Sequence, residues 1–184
     1  MPALPEAGDD AMSSLQQKAA DLRLLALDVD GVLTDGRIYY GNQGEELKAF
    51  DIKDGLGIKL LQRAGVRVAI ITGRRSEIVL RRARELGIED VIQGREDKRQ
   101  ALEELCHHRA VELVHCGYMG DDLPDLGAIR RAGLGMTTAD ASAAVLAAAD
   151  WSSSHKGGHG AVREACEFIL EARGARARLE ADFA

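Results

Sequence analysis

The stretch LLALDVDGVLTDG, residues 24–36, ends an apolar run by setting Asp28, Asp30 and Asp35 close together. Carboxylates at this spacing repel one another, so the pattern predicts a cation among them. A second acidic group, Asp121, Asp122 and Asp125, lies in GDDLPD. Converging carboxylates offer only oxygen ligands, which suits Mg2+ better than zinc. Mg2+ keeps several waters and takes substrate phosphates as ligands, so the acidic edge points to phosphoryl chemistry. Thr72, in IITGR, brings a hydroxyl and a turn with free backbone N–H groups, both suited to phosphate oxygens. Lys98 falls in the first turn of an expected helix, where the dipole does not favour a cation. Neutralising a nearby anion gives it a purpose. On this reading Asp28 attacks phosphorus to give an aspartyl-phosphate, while Asp30 protonates the leaving alcohol and then activates water.

These residues must be brought to one place by the elements that carry them. Residues 23–29 and 66–71 form apolar runs long enough for buried strands, and residues 112–118 read as a third. Short strands are expected at 90–93, 133–136 and 150–152. Helices are expected at 54–64, 75–86, 96–108, 122–132, 139–148 and 161–173. Ile38–Tyr40 and Leu47–Phe50 flank the turn-rich GNQG and read as a β-hairpin. The expected fold class is therefore α/β: a doubly wound, mostly parallel sheet with a small hairpin flap. In such sheets ligands bind beyond the carboxyl ends of strands, where Asp28, Asp30, Thr72, Asp121 and Asp122 fall. Residues 1–22 read as a tail with a short helix, 23–173 as one domain, and 174–184 as a polar, frayed tail.

Composition narrows the partners. With 24 Lys and Arg against 30 Asp and Glu, the net charge of −6 argues against nucleic acid. A small anionic substrate stays compatible, because a local basic pocket can sit on an acidic protein. No apolar run reaches the ~18 residues of a membrane span. The start of the chain lacks a basic-then-apolar signal pattern. Cys106, Cys116 and Cys166 form neither a zinc motif nor a disulfide framework and read as reduced thiols. A cytoplasmic location is expected.

Each residue also has a plainer reading. Asp28 and Asp30 could be a turn and a cap, Thr72 a turn residue and Lys98 a solvated lysine. Asp122 and Asp125 could only cap the following helix. Arg74, Arg75, Arg81 and Arg82 could form a solvated helix face. Tyr39, Tyr40 and Phe50 suit hairpin packing, and His155, Lys156 and His159 suit a flexible loop.

Taken in order, DVDGVLTDG, IITGR, Lys98 and GDDLPD resemble the four motifs of the haloacid dehalogenase superfamily of phosphatases. The resemblance implies Asp28 as nucleophile and Asp30 as acid/base. It implies Mg2+ on the Asp28 carboxylate, the Asp30 backbone carbonyl and Asp121, with Asp122 and Asp125 behind them. Thr72 and Lys98 would hold the phosphoryl group. The stretch between Asp28 and Thr72 is used up by one hairpin, one helix and one strand, so there is no room for a cap domain. Over about residues 23–173 the chain resembles the capless branch of that superfamily, which acts on sugar-acid phosphates. The segments carrying this likeness are DGRIYYGNQGEELKAFDIKDGLGIKLL, AIITGRRS, QGREDK and GGHGAVREACEFIL. By that likeness the substrate is 3-deoxy-D-manno-octulosonate 8-phosphate (KDO 8-phosphate), a lipopolysaccharide precursor, or a nine-carbon sialic-type sugar 9-phosphate. Asp51, Ile52, Lys53, Asp54, Gly55, Lys59, Arg74 and Arg82 match substrate-contact positions of the branch. A homotetramer is implied, with the Gly-rich segment Ser154–Gly160 of one subunit near a neighbour's site. Two positions depart from the pattern: His159 replaces the arginine of GGRG, and Lys59 stands for an arginine, neither neutral at a bidentate anion contact.

Two other classes compete. A non-catalytic tetramerising domain would keep the fold but should have lost a motif residue, whereas all are present. A phosphate-accepting regulator would use an acidic pocket, a Thr and a Lys, but not an acid/base Asp two residues past the acceptor.

Overall fold

The computed structural model describes the backbone of residues 7–44 and 46–184, with side chains from Ser14 onward except at Glu45. Residues 1–6 of the expected lead lie outside the described residues. The chain runs through α1 (Ala7–Ala20), β1 (Leu24–Leu27), β2 (Tyr39–Tyr40), β3 (Glu46–Leu47), α2 (Ile52–Arg63), β4 (Arg67–Thr72), α3 (Glu77–Leu86) and β5 (Asp90–Gln93). It continues through α4 (Lys98–His108), β6 (Cys116–Gly120), α5 (Leu126–Arg131), β7 (Leu134–Thr137), α6 (Ala143–Ala148), β8 (Trp151–Ser152), α7 (Ala161–Ala172) and α8 (Arg176–Ala181).

Six strands pair in the order β5-β4-β1-β6-β7-β8, every pair parallel. The apolar runs are continuous because both faces of the sheet are covered. Along β1, Leu25 and Leu27 pack with α2, α3 and α7, while Leu24 and Ala26 pack with α4, α5 and α6. β4 alternates in the same way, with Val68 and Ile70 on the first face and Ala69 and Ile71 on the second. β1 is central, and Leu27 sits level with Ile70 on β4 and Met119 on β6. That register delivers Asp28, Thr72 and Asp121 to one edge. The flap is a separate two-stranded ribbon, Tyr39↔Leu47 and Tyr40↔Glu46, antiparallel as its turn-rich sequence implies. Among the described residues, the elements between β1 and β4 are the two flap strands and α2.

Several boundaries differ from the sequence reading. The apolar Leu113-Val114 pair is not the start of a strand: residues Leu113–His115 form a 3-10 turn, and pairing begins at Cys116, opposite Leu24. Residues 122–132 split into a 3-10 turn, Leu123–Asp125, and α5, because the Asp125 carboxylate folds back onto the N–H groups of Asp121 and Asp122. The helix expected from 139 starts at Ala143. The preceding loop is engaged elsewhere, with Ser142 N–H donating to Asp121 O (2.8 Å) and Gly157 N–H to Asp140 Oδ1 (3.1 Å). The C-terminal residues are not a frayed tail, since α8 buries Leu179 and Arg173 donates to the carbonyls of Ala20 and Leu22.

Segment Ser154–Gly160 is likewise packed rather than loose. Gly158 N–H donates to Val32 O at 3.0 Å, and a Cβ on Gly157 would lie 1.8 Å from Gly31 O. This segment therefore buttresses its own chain's loop after β1. Among the described residues no helix is long and apolar enough to cross a membrane.

Candidate active site

The loop after β1 folds over its own carbonyl: the N–H groups of Val32, Leu33 and Thr34 all converge on Val29 O. Thr34 Oγ1 accepts from Gly31 and Gly36 N–H, closing the turn. Gly31 has φ +91°, and a Cβ there would fall 2.0 Å from Asp121 Oδ2. Only glycine lets the backbone beside Asp30 approach the Asp121 carboxylate so closely.

Behind that loop lies a buried ionic core. Lys98 Nζ sits 2.9 Å from Asp28 Oδ2 and 2.7 Å from Asp125 Oδ1, all three side chains less than a tenth exposed. Asp28 Oδ1 also accepts from Val29 N–H at 2.7 Å. Asp125 accepts further from Tyr118 Oη (2.6 Å) and from the N–H groups of Asp121 (3.0 Å) and Asp122 (3.2 Å). Burial works against the charge on Lys98, but Asp28 and Asp125 outweigh it and raise its pKa. Burial, then the Asp125 charge, pushes Asp28 up to about 7 against the pull of Lys98. Burial, then Asp125 and Asp122, pushes Asp121 up to about 7 as well.

Asp28, Asp30, Thr72, Gly73, Arg74, Glu96, Lys98 and Pro124 line one cavity of about 510 Å³ at the carboxyl edge of the sheet. Asp28, Asp121 and Asp125 can each bring an oxygen within 4.8 Å of the others. Asp125 is already saturated by Lys98, Tyr118 and two backbone donors, which leaves Asp28 and Asp121 for an ion. Two crowded carboxylates driven towards neutrality, with Lys98 paired to Asp28 alone of the two and only carboxylate oxygens in the cluster among the described residues, fit a hard divalent cation.

The substrate-contact positions separate from one another. Arg74 lines the cavity. Asp51 Oδ1 accepts from Lys53 and Asp54 N–H and caps α2. Asp54 is buried and accepts from Arg163 N–H at 2.8 Å, capping α7 from α2; burial pushes it up to about 6. Arg82 lies over the Phe50 ring at 5.7 Å and donates to Asp51 O, so its guanidinium braces the base of the flap, against Gly55. Ile52, Lys53 and Lys59 are exposed and do not line the cavity. Asp122 is exposed too, with Oδ1 accepting from Leu123 N–H, a cap.

The sequence reading missed Tyr118, Glu96 and Lys48. Tyr118 hides in an apolar strand, and only its buried hydroxyl in a core would have flagged it. Lys48 sits in the flap, its side chain 1% exposed, with Nζ 2.5 Å from Asp30 Oδ1.

The chain is similar to known proteins over most of its length. A family model for haloacid dehalogenase-like hydrolases matches residues 87–164. The chain is 48% identical over 157 residues to the 3-deoxy-D-manno-octulosonate 8-phosphate phosphatase KdsC of Yersinia pestis, covering 85% of this chain and 84% of that one. It is similar to the crystal structure of the corresponding phosphatase of Moraxella catarrhalis in complex with magnesium, phosphate and KDO. There the TM-score is 0.92 and the identity 47%, with 94% of this chain and 99% of that chain covered. A cobalt-bound form of the Haemophilus influenzae phosphatase matches with a TM-score of 0.85 and 40% identity, over 88% of this chain and 94% of that one.

Proposed function

Because the chain belongs to the haloacid dehalogenase-like hydrolases, we propose that it is a Mg2+-dependent phosphatase cleaving KDO 8-phosphate to KDO and phosphate. The observation that carries this reading is the convergence of Asp28, Asp30, Thr72, Lys98 and Arg74 on one cavity. Relatives so named, and one binding magnesium, phosphate and KDO, support the substrate. Asp28, Asp121 and the Asp30 carbonyl would hold Mg2+, which when bound supplies positive charge to screen the nucleophile from the incoming phosphate.

The side chains then divide the work. Lys98 and Thr72 Oγ1 bind phosphoryl oxygens, and Arg74 meets further anionic charge. An Asp28 oxygen attacks phosphorus; the acyl-phosphate bond forms as the bond to the sugar oxygen breaks, and Asp30 gives its proton to that oxygen. Asp30, now ionised, takes a proton from water as the water attacks phosphorus. The acyl-phosphate bond breaks, phosphate leaves and Asp28 is regenerated. Asp125 touches no reacting atom; it fixes Lys98.

A homotetramer and a cytoplasmic setting belong to the same reading. Tyr39, Tyr40, Leu47 and Ile52 present exposed apolar surface on and beside the flap, which supports subunit contact there. In an assembly, Lys53, Lys59 and residues of Ser154–Gly160 could face a neighbour's cavity. Three free thiols suit a reducing compartment. The test is phosphate release from KDO 8-phosphate and from a nine-carbon ketosugar acid 9-phosphate. We expect turnover with Mg2+, its loss with EDTA and in Asp28→Asn, and preference for the eight-carbon ester. No turnover of either ester would overturn the reading; preference for the longer one would reassign the substrate.

A further inference from the structure

The flap carries a charged row that the catalytic assignment leaves unexplained. A ribbon of two residue pairs is marginal by itself. Most of its side chains face outward, with Tyr40 and Leu47 at 70% and 66% exposure. Lys48 does the opposite: its side chain is 1% exposed, although lysine is the residue type least suited to burial. Burying it costs desolvation and rotamer freedom, so something specific must compensate. Nζ lies 2.5 Å from Asp30 Oδ1 and 3.2 Å from Glu46 Oε1. Glu46 Oε1 in turn lies 3.6 Å from Arg74 Nη2, which reaches Tyr40 Oη at 3.5 Å.

A continuous chain of charge therefore runs from Asp30 through Lys48 and Glu46 to Arg74, joining the loop after β1, the flap and the loop after Thr72. Among the described residues, the hydrogen bond seen on the Asp30 carboxylate is the one from Lys48. Asp28, by contrast, is fixed by Lys98 and Val29 N–H. The two aspartates are thus oriented by separate devices, one in the core and one in the flap.

We propose that Lys48 is the positioning residue for Asp30, fixing its carboxyl group towards the leaving oxygen and tying that placement to the position of the flap. This rests on the phosphatase reading and adds a residue to it. Lys48 touches no reacting atom, so its loss should matter only where Asp30 must deliver a proton. A sugar alkoxide needs that proton to depart; 4-nitrophenolate does not.

The experiment is single-turnover release of the leaving group at saturating ester, with Mg2+ present, for wild type, Lys48→Met and Lys48→Arg. Methionine keeps the buried stem and removes the charge. We expect Lys48→Met to slow release of the sugar from KDO 8-phosphate by about 100-fold while changing release of 4-nitrophenolate from its phosphate by less than about threefold. Lys48→Arg should recover most of the sugar-ester rate. Equal slowing of both esters, including through a collapsed flap, overturns the proposal; so does an unchanged sugar-ester rate or a change confined to KM. A wild-type protein inert towards both esters would overturn the phosphatase reading itself, and this proposal with it.

Discussion

Asp125→Asn keeps the shape of a buried side chain and removes its charge. Asp125 is 1% exposed and accepts from four donors: Lys98 Nζ at 2.7 Å, Tyr118 Oη at 2.6 Å, and two backbone N–H groups at 3.0 and 3.2 Å. A carboxylate can serve all four, two on each oxygen. An amide has one acceptor oxygen, and its NH2 must face donors. Breaking a buried ion pair costs about 3–5 kcal/mol. Lys98 keeps Asp28 as a partner, so the cost belongs at the lower end, about 3 kcal/mol. For a chain of this size that lowers Tm by about 6–12 °C. Lys98 also loses one side of its clamp, and a misplacement near 1 Å is worth about 100-fold in rate. The assay is thermal unfolding by circular dichroism, with initial rates of phosphate release measured well below the variant's Tm. A variant with wild-type Tm and wild-type rate would refute the argument that Asp125 sets the ionic core.

Three further outcomes follow from other parts of the molecule. Asp28 and Asp121 rise to about 7 in the ion-free fold from an ordinary 3.8. The folded state therefore binds more protons than the unfolded one between those values, and ion-free stability falls as pH rises from about 4 to about 7. Mg2+ holding both groups ionised offsets this, so the gain in Tm on adding Mg2+ should be larger near pH 8 than near pH 5.5; equal gains would contradict the metal assignment. Gly157→Ala forces a Cβ onto Gly31 O, and should cost about 1–3 kcal/mol and slow turnover through the displaced Asp30 loop; unchanged unfolding and rate would contradict that packing. If the proposed tetramer forms through the flap, Leu47→Asp on its exposed face should shift the protein to smaller species by light scattering, and an unshifted assembly would remove the flap from the interface.

The placement of the candidate site was legible in the sequence where it is local. Asp28 and Thr72 stand at or just past the ends of apolar runs, and parallel pairing carries such ends to one edge without further information. Long-range roles were not legible. The resemblance puts Asp54 among the substrate contacts, yet here it caps α7 through Arg163 N–H, far away in sequence. Arg82 has the same charge as Arg74, but it sits on α3, where the flap base lies beneath it and takes its guanidinium. Lys48 was hidden because a two-pair ribbon has no periodicity strong enough to say which side chain turns inward. The apolar pair Leu113-Val114 misled for the opposite reason: local hydrophobicity suited a strand, but β1 has no residue to pair with it.

The account stands on Asp28 as the nucleophile that accepts the phosphoryl group. Wild-type protein mixed with KDO 8-phosphate and Mg2+, quenched during turnover and treated with borohydride, converts any acyl phosphate to an alcohol at the residue that carried it. Peptide mass spectrometry should find that reduced side chain at position 28. Phosphate release with no reduced side chain there, or with the mark on another aspartate, would contradict the mechanism.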